Sequence, residues 1–354
     1  MSEEIPAARD GSDGDAARGG LGRLLPRFVA GLVLAILVVS GLILFGDARQ
    51  LATALRDFKW WLIAPILALT LWNYALRFAK WQLYLRALRI RDVSPATSGL
   101  VFLTGFSMSI TPGKVGELIK AVFLRRLTGL PVNRGSAIVA AERLTDGLAM
   151  IALAAIGLTQ FNYGRPFLAV AAVAAVAAVV LLQRPRLLTP LLARAERLPV
   201  VGRHVAHAEA FVDASNVLFR PRLLATAVLL GMVSWAGECA AFYLVLTGLG
   251  VQGTLHLLLV ATFVIAVSSL VGAVSMLPGG LGIADASVAG MLLILVTAPE
   301  MTRSVSVAAT LLIRFSTLWF AVLLGLGALA LLRRRLADGN HTPVPNAAPL
   351  EQRT

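Results

Sequence analysis

Three clusters of charged side chains interrupt otherwise apolar sequence in this chain, and their spacing suits holding an anion. Lys114, Glu117 and Lys120 follow Pro112 and Gly113, with Gly116 in the same turn. A Pro-Gly pair just ahead of a helix start leaves free backbone N–H groups and the positive end of the helix dipole facing a ligand. Lys114 adds a full charge there. Glu117 and Lys120, three residues apart, share a helical face and are placed to pair. A phosphodiester headgroup fits such a site. The second cluster lies in AAERLTD, where Glu142 and Asp146 are four apart on one face and Arg143 is on the adjacent edge. Each charge at membrane depth costs roughly 2.5 to 3.5 kcal/mol, so each needs a reason. Two compatible reasons are a cavity lined for a zwitterionic or anionic headgroup and an ion-pair network tying this helix to its neighbour. The third cluster is Glu238, Asp285 and Arg314, set beside Pro278, Gly279, Gly280 and Gly282. Asp285 reads most simply as the cap of a helix starting near Gly282. Glu238 and Arg314 are candidates to pair across helices.

Reaction chemistry has less support. There is no G-x-S-x-G elbow and no H-E-x-x-H, and Gly113-Lys114 is followed by Val115 where a phosphate loop needs Ser or Thr. An ATP-driven pump is therefore unsupported, and neither enzymatic activity nor a cofactor is expected. His204 and His207, three apart in a basic stretch, read as solvated residues and not as metal ligands. Cys239 is the single cysteine and sits in an apolar run, so it reads as a buried structural thiol.

The elements that must position these residues are membrane helices. Of 354 residues, 58% are hydrophobic and 14% charged, and mean hydropathy is +0.80. A soluble domain of that composition would expose most of its apolar surface, so lipid is the solvent. The net charge of +13 comes from Lys and Arg concentrated in loops and tails, which sets topology and argues against a nucleic-acid groove. Apolar stretches long enough to cross run from Phe28 to Phe45, Trp60 to Leu76, Ser136 to Leu158, Phe167 to Leu182, Leu223 to Leu249 and Val305 to Leu332. Two further apolar regions, beginning at Ser107 and Val274, are broken by the Pro-Gly pairs. Straight spans there would leave backbone groups unpaired in hydrocarbon, so re-entrant hairpins are expected.

Arg18, Arg23 and Arg27 precede the first span, and Arg77, Lys80, Arg86, Arg89 and Arg91 follow the second. The positive-inside rule then places both termini in the cytoplasm of a bacterial plasma membrane. Arg77, Lys80, Trp81, Tyr84 and Arg86 read as an interfacial anchoring belt. The basic stretch from Arg184 to Arg222 would lie on anionic lipid. Residues 1–24 and 337–354 read as disordered cytosolic tails around a folded unit at 25–336.

Pro112 and Pro278 each open a Pro-Gly-x-apolar-Gly pattern, and a long span carrying an arginine, Arg143 or Arg314, follows each. With hairpins entering from opposite faces, this is an inverted repeat with a substrate site near the midplane. The expected fold is an all-α polytopic membrane protein of about six full transmembrane helices plus two re-entrant helical hairpins.

TPGKVGELIKAVFLRR at Thr111 to Arg126, AERLTDGLAM at Ala141 to Met150 and LPGGLGIADA at Leu277 to Ala286 resemble the transmembrane region of lysylphosphatidylglycerol synthases, also called the flippase-like domain family. The resemblance runs from about Arg27 to Leu336 and implies a lipid-translocation module. Bifunctional synthases of that group carry a soluble aminoacyltransferase domain after the membrane region. This chain ends 22 residues after Leu332, so synthase activity is not expected. Relatives without that domain are linked to several lipid pathways, hopanoid-associated and archaeal glycolipid ones among them. Carried over by motif, the site residues are Lys114, Glu117, Arg143, Asp146 and Arg314. The partners this implies are membrane lipids, anionic phospholipid first, or a lipid-modifying enzyme.

Overall fold

The computed structural model describes residues 12–91, 93–111, 116–158, 165–183 and 205–337, and every regular element among them is helical. Helix α1 (Ser12–Phe45) meets α2 (Ala48–Asp57) at a 95° bend, where the Asp47 carboxylate accepts from the Arg49 N–H at 2.9 Å. Because α1 begins at Ser12, residues 12–24, expected as tail, are helical here, and 1–11 and 338–354 lie outside the described residues. A short 3-10 turn (Trp60–Leu62) leads into α3 (Ile63–Ala87). Helices α4 (Pro95–Ser107), α5 (Ile119–Thr128), α6 (Val132–Gly157) and α7 (Arg165–Gln183) follow. After them come α8 (Val205–Leu218), α9 (Pro221–Gly248), α10 (Leu255–Val274), α11 (Ile283–Leu295), α12 (Arg303–Arg314) and α13 (Phe320–Ala337).

Five stretches are long and apolar enough to cross a membrane: Trp60–Ala87, Pro221–Gly248, Leu255–Val274, Pro278–Leu295 and Arg303–Ala337. The bent α1–α2 pair makes a sixth. Helix α6, expected as a plain span, is 26 residues and about 39 Å long, and so also has the reach. Its charges set it apart from the apolar five. Helix α7 contributes a shorter apolar stretch, Leu168–Leu181. The second span does not end at Leu76: α3 continues through Arg77 and Lys80 to Ala87.

The two breaks differ in reach. Helices α4 and α5, of 13 and 10 residues, are about 20 and 15 Å long, too short to cross a core of about 30 Å, as a re-entrant hairpin requires. At the second break α10 has 20 residues and could span alone, whereas α11 has 13. The backbone there turns through left-handed conformations at Gly279, Gly280 and Gly282 (φ 60°, 69° and 83°), which a side chain would strain.

Helices α3 and α9 form the centre of the bundle. The Lys59 N–H donates to the Gly248 carbonyl at 3.1 Å, and further along Asn73 Nδ2 donates to the Ser234 carbonyl while Ser234 Oγ donates to the Asn73 carbonyl, both at 3.0 Å. Numbers rise on one helix as they fall on the other, so the pair is antiparallel. The reciprocal bonds mark an approximate two-fold axis. Around it the contacts repeat: α4 packs on α13 as α10 packs on α6, and α5 packs on α6 as α11 packs on α12. An axis exchanging two antiparallel helices is perpendicular to them, which for membrane-crossing helices is an inverted repeat.

Close packing of α4 on α13 depends on Gly325. A Cβ at that position would lie 2.2 Å from the Ser107 amide nitrogen and 2.8 Å from the Phe106 carbonyl carbon, both of them backbone atoms that cannot swing aside. Gly327, two residues on, has nothing within 4 Å. Gly325→Ala should destabilise the protein by about 1 to 3 kcal/mol, whereas Gly327→Ala should be neutral or mildly stabilising. Thermal unfolding of the detergent-solubilised variants measures this, and equal melting of the two would contradict the packing described.

Candidate functional site

A cavity of about 330 Å³ lies where the two breaks face each other. The first break contributes Ser109 and Glu117, and the second contributes Leu277, Gly279 and Gly280. Helix α3 supplies Tyr74 and Arg77, α9 supplies Trp235 and Glu238, and α6 supplies Arg143 and Asp146. Arg314, at the end of α12, completes the charged lining.

Asp146 is the hub. Lys80 pairs with its Oδ1, while Arg143 and Arg77 approach its Oδ2 at 3.4 and 3.7 Å. Lys80 also donates to the Thr145 hydroxyl at 3.4 Å, and Tyr84 Oη lies 3.0 Å from that same hydroxyl. Arg143 reaches Glu117 at 3.5 Å and so ties α6 to the turn from which α5 restarts. Beside this group, Lys120 pairs with Glu142 at 2.5 Å, and its ammonium stands 5.1 and 5.5 Å from the ring centres of Trp81 and Phe102. Charges buried this deeply persist only when matched.

The second half repeats the plan more sparely. Arg314 pairs with Asp285 and approaches the Gly279 carbonyl at 3.5 Å, reaching into the break itself. The other Asp285 oxygen accepts from the Gly282 N–H at 2.9 Å, so Asp285 caps α11 and holds the arginine at once. A π-turn at Phe315–Trp319 follows Arg314, and there the Thr317 carbonyl accepts from the Tyr74 hydroxyl at 2.6 Å, bridging the halves. In each half, then, an arginine grips the acid at the start of the helix that resumes after the break. Among the described residues these are the two partly open cations of the site: 28% of the Arg143 side chain and 22% of Arg314 are exposed, against 3% for Glu117 and for Asp285.

Several sequence expectations need correction. Glu117 pairs with Arg143 and Lys120 with Glu142, in place of the expected Glu117–Lys120 pair, because Glu117 lies in the turn before α5 begins at Ile119. The ion pair of Arg314 is with Asp285, not Glu238, although Glu238 does line the cavity. The anchoring belt on α3 is no belt: Arg77, Lys80, Trp81 and Tyr84 are buried, and only Arg86 of the five is exposed. Asn73, Arg77, Lys80 and Tyr84 recur at four, three and four residues, the period of one helical face, and that was the available signal. Pro112, Gly113 and Lys114 lie outside the described residues, as does His204. The ends of that loop are pinned: the Thr111 hydroxyl accepts from the Gly116 N–H at 2.8 Å and donates to the Met108 carbonyl at 2.7 Å.

An all-α bundle with several helices long and apolar enough to cross a bilayer is a polytopic membrane protein. The chain belongs to the family described as Lysylphosphatidylglycerol synthase TM region, which matches residues 32–325. Two UPF0104 membrane proteins of Methanothermobacter thermautotrophicus are similar over nearly their whole length. One is 24% identical over 311 residues, 82% of this chain and 90% of the relative, and the other 25% identical over 328 residues, 84% and 93%. Glycosyltransferase AglD of Haloferax volcanii is 26% identical over 130 residues, 37% of this chain but only 21% of that protein.

The two buried lysines should differ in what their loss costs. Lys120→Met leaves Glu142 without its paired cation in a site where both side chains are 2% exposed, and should cost about 3 to 5 kcal/mol. Lys80→Met leaves Asp146 with Arg77 and Arg143 and should cost less. Denaturation of the two variants in the same detergent would show the order, and a larger loss for Lys80→Met would argue against the pairing.

Proposed function

We propose that this protein moves a polar lipid, an anionic or modified phospholipid, across the plasma membrane, with the headgroup passing through the cavity between the two breaks. One observation carries the reading: each half presents a partly exposed arginine to a single cavity, set at the point where the backbone is interrupted. An apolar lipid chain needs no such site, but a headgroup crossing about 30 Å of hydrocarbon does. The inverted repeat supplies the movement, since rocking one half against the other opens the cavity to either face in turn. Lys114, which lies outside the described residues, is assigned to the same site from the sequence alone. Both termini are cytoplasmic in this reading, and the protein transports without catalysing a reaction.

A second reading is favoured by the similarity to Glycosyltransferase AglD: a membrane partner that presents lipid to a modifying enzyme without moving it. Translocation in liposomes separates the two. Purified protein should accelerate exchange of a labelled anionic phospholipid between leaflets, and Arg143→Ala or Lys114→Ala should reduce it at least tenfold while folding is retained. Normal exchange in both variants would remove them from the site. Silence of the wild type with several lipid classes, together with stoichiometric co-purification of an enzyme, would establish the partner reading.

A further inference from the structure

The inverted repeat pairs the two halves residue by residue, and at one place the paired residues differ in kind. The axis that exchanges Asn73 with Ser234 sets Arg77, Lys80 and Tyr84 of α3 opposite Glu238, Ala241 and Val245 of α9. Pairing Arg143 with Arg314 in the same way sets Thr145 and Asp146 opposite Ser316 and Thr317. Helix α3 packs on α6 as α9 packs on α12. In the first half that contact is polar: Lys80 and Arg77 pair with Asp146, and Tyr84 Oη lies 3.0 Å from the Thr145 hydroxyl. In the second half Lys80 and Tyr84 have the apolar counterparts Ala241 and Val245, both fully buried, and Thr317 carries no charge for Glu238 to meet. The Ser316 hydroxyl, also fully buried, has no hydrogen-bond partner. The backbone differs too. Helix α6 runs regularly through Thr145 and Asp146, whereas Phe315–Trp319 is the one π-turn among the described residues. Such a turn holds an extra residue with poorer hydrogen-bond geometry, and a helix changes register there at little cost. One residue of register is about 1.5 Å and 100° of rotation.

The π-turn is held from the other half. The Tyr74 hydroxyl donates to the Thr317 carbonyl at 2.6 Å, and the Tyr74 ring centre lies 4.8 Å from that of Phe106 and 6.4 Å from that of Phe320, where the regular helix resumes. On the upstream side Arg314 ends α12, bonds Asp285 at the start of α11 and approaches the Gly279 carbonyl, so a change of register in the π-turn reaches the second break. Gly279, Gly280 and Gly282 there already occupy left-handed conformations open to glycine. On the downstream side Gly325 seats α13 directly on the α4 backbone, which leaves the upstream side to move. We infer that the second half is the moving half of this protein, that the π-turn is its hinge, and that the Tyr74–Thr317 bond is the latch on that hinge. The first half, clamped on Asp146, is the frame. This rests on the transport reading and deepens it: alternation comes from α11, α12 and the second break swinging against α3 and α6, with Tyr74 as the positioning residue.

The test is backbone hydrogen–deuterium exchange of the full-length protein in nanodiscs of phosphatidylcholine and phosphatidylglycerol, comparing residues 315–322 with their counterparts at 142–149. In the wild type 315–322 should exchange about tenfold faster, since local opening follows how well a segment is held. Tyr74→Phe keeps the ring between Phe106 and Phe320 and removes the latch, and it should speed exchange at 315–322 by a further three- to tenfold, roughly the worth of one hydrogen bond, while leaving 142–149 unchanged. Tyr84→Phe removes the matching hydroxyl of the first half and should leave 142–149 within about twofold of the wild type, because Lys80, Arg77 and Arg143 still hold Asp146. Equal exchange of the two segments in the wild type overturns the hinge without any variant. Wild-type protection of 315–322 in Tyr74→Phe overturns the latch, and so does an equal rise in both segments. If the segments differ as stated while the wild type moves no lipid in liposomes, the transport reading fails and the hinge stands; if lipid moves and the segments exchange alike, the hinge fails and transport stands.

Discussion

A carboxylate held among membrane-spanning helices must be neutralised by its neighbours, and Asp146 is where that requirement organises this protein. Lys80 and Arg77 come to it from α3 and Arg143 from its own helix. Because α3 also packs along α9, the ionic hub and the central helix pair lock each other in place. Arg143 carries the connection onward to Glu117, and so the placement of the first break depends on the same charge. Removing these contacts would leave ions in a low-dielectric interior, a far larger cost than losing an apolar contact.

The two halves use one device with different tightness. An arginine from the long helix after the break holds the acid that begins the resumed helix, Arg143 with Glu117 and Arg314 with Asp285. The second grip is hydrogen-bonded and reaches the broken backbone, while the first is looser and shares its arginine with Asp146. On the transport reading proposed above, equivalent units held with unequal tightness are what alternating access in an inverted repeat requires, where closing one side accompanies opening the other. The Tyr74 bond to the π-turn at Thr317 links the halves directly, beside the reciprocal Asn73–Ser234 bonds at the axis.

Much of the candidate site was legible because charges are conspicuous in an apolar sequence. Glu117, Glu142, Arg143, Asp146, Glu238, Asp285 and Arg314 stand out for that reason, and all are brought into or against the cavity region. Arg77 and Lys80 were misread because they follow an apolar run, where basic residues usually mark the membrane surface. Their burial follows from α3 continuing for another three turns, a length decided by what packs against it. Trp235 was invisible for a different reason: a tryptophan in an apolar helix is ordinary, and only the packing that puts it in the cavity lining makes it informative.

Composition and local chemistry by themselves determined that this chain is helical and embedded in lipid, and where its helices break. These follow from hydropathy and from the conformational limits of proline and glycine, neither of which needs a partner in space. The pairing of the charges was decided only by the tertiary structure. Glu117 chose Arg143 over Lys120, and Arg314 chose Asp285 over Glu238, because an ion pair among buried helices depends on distances of a few ångströms between elements far apart in sequence. The cavity is of the same kind. It exists because two broken segments meet across an antiparallel helix pair, and that meeting is a property of packing.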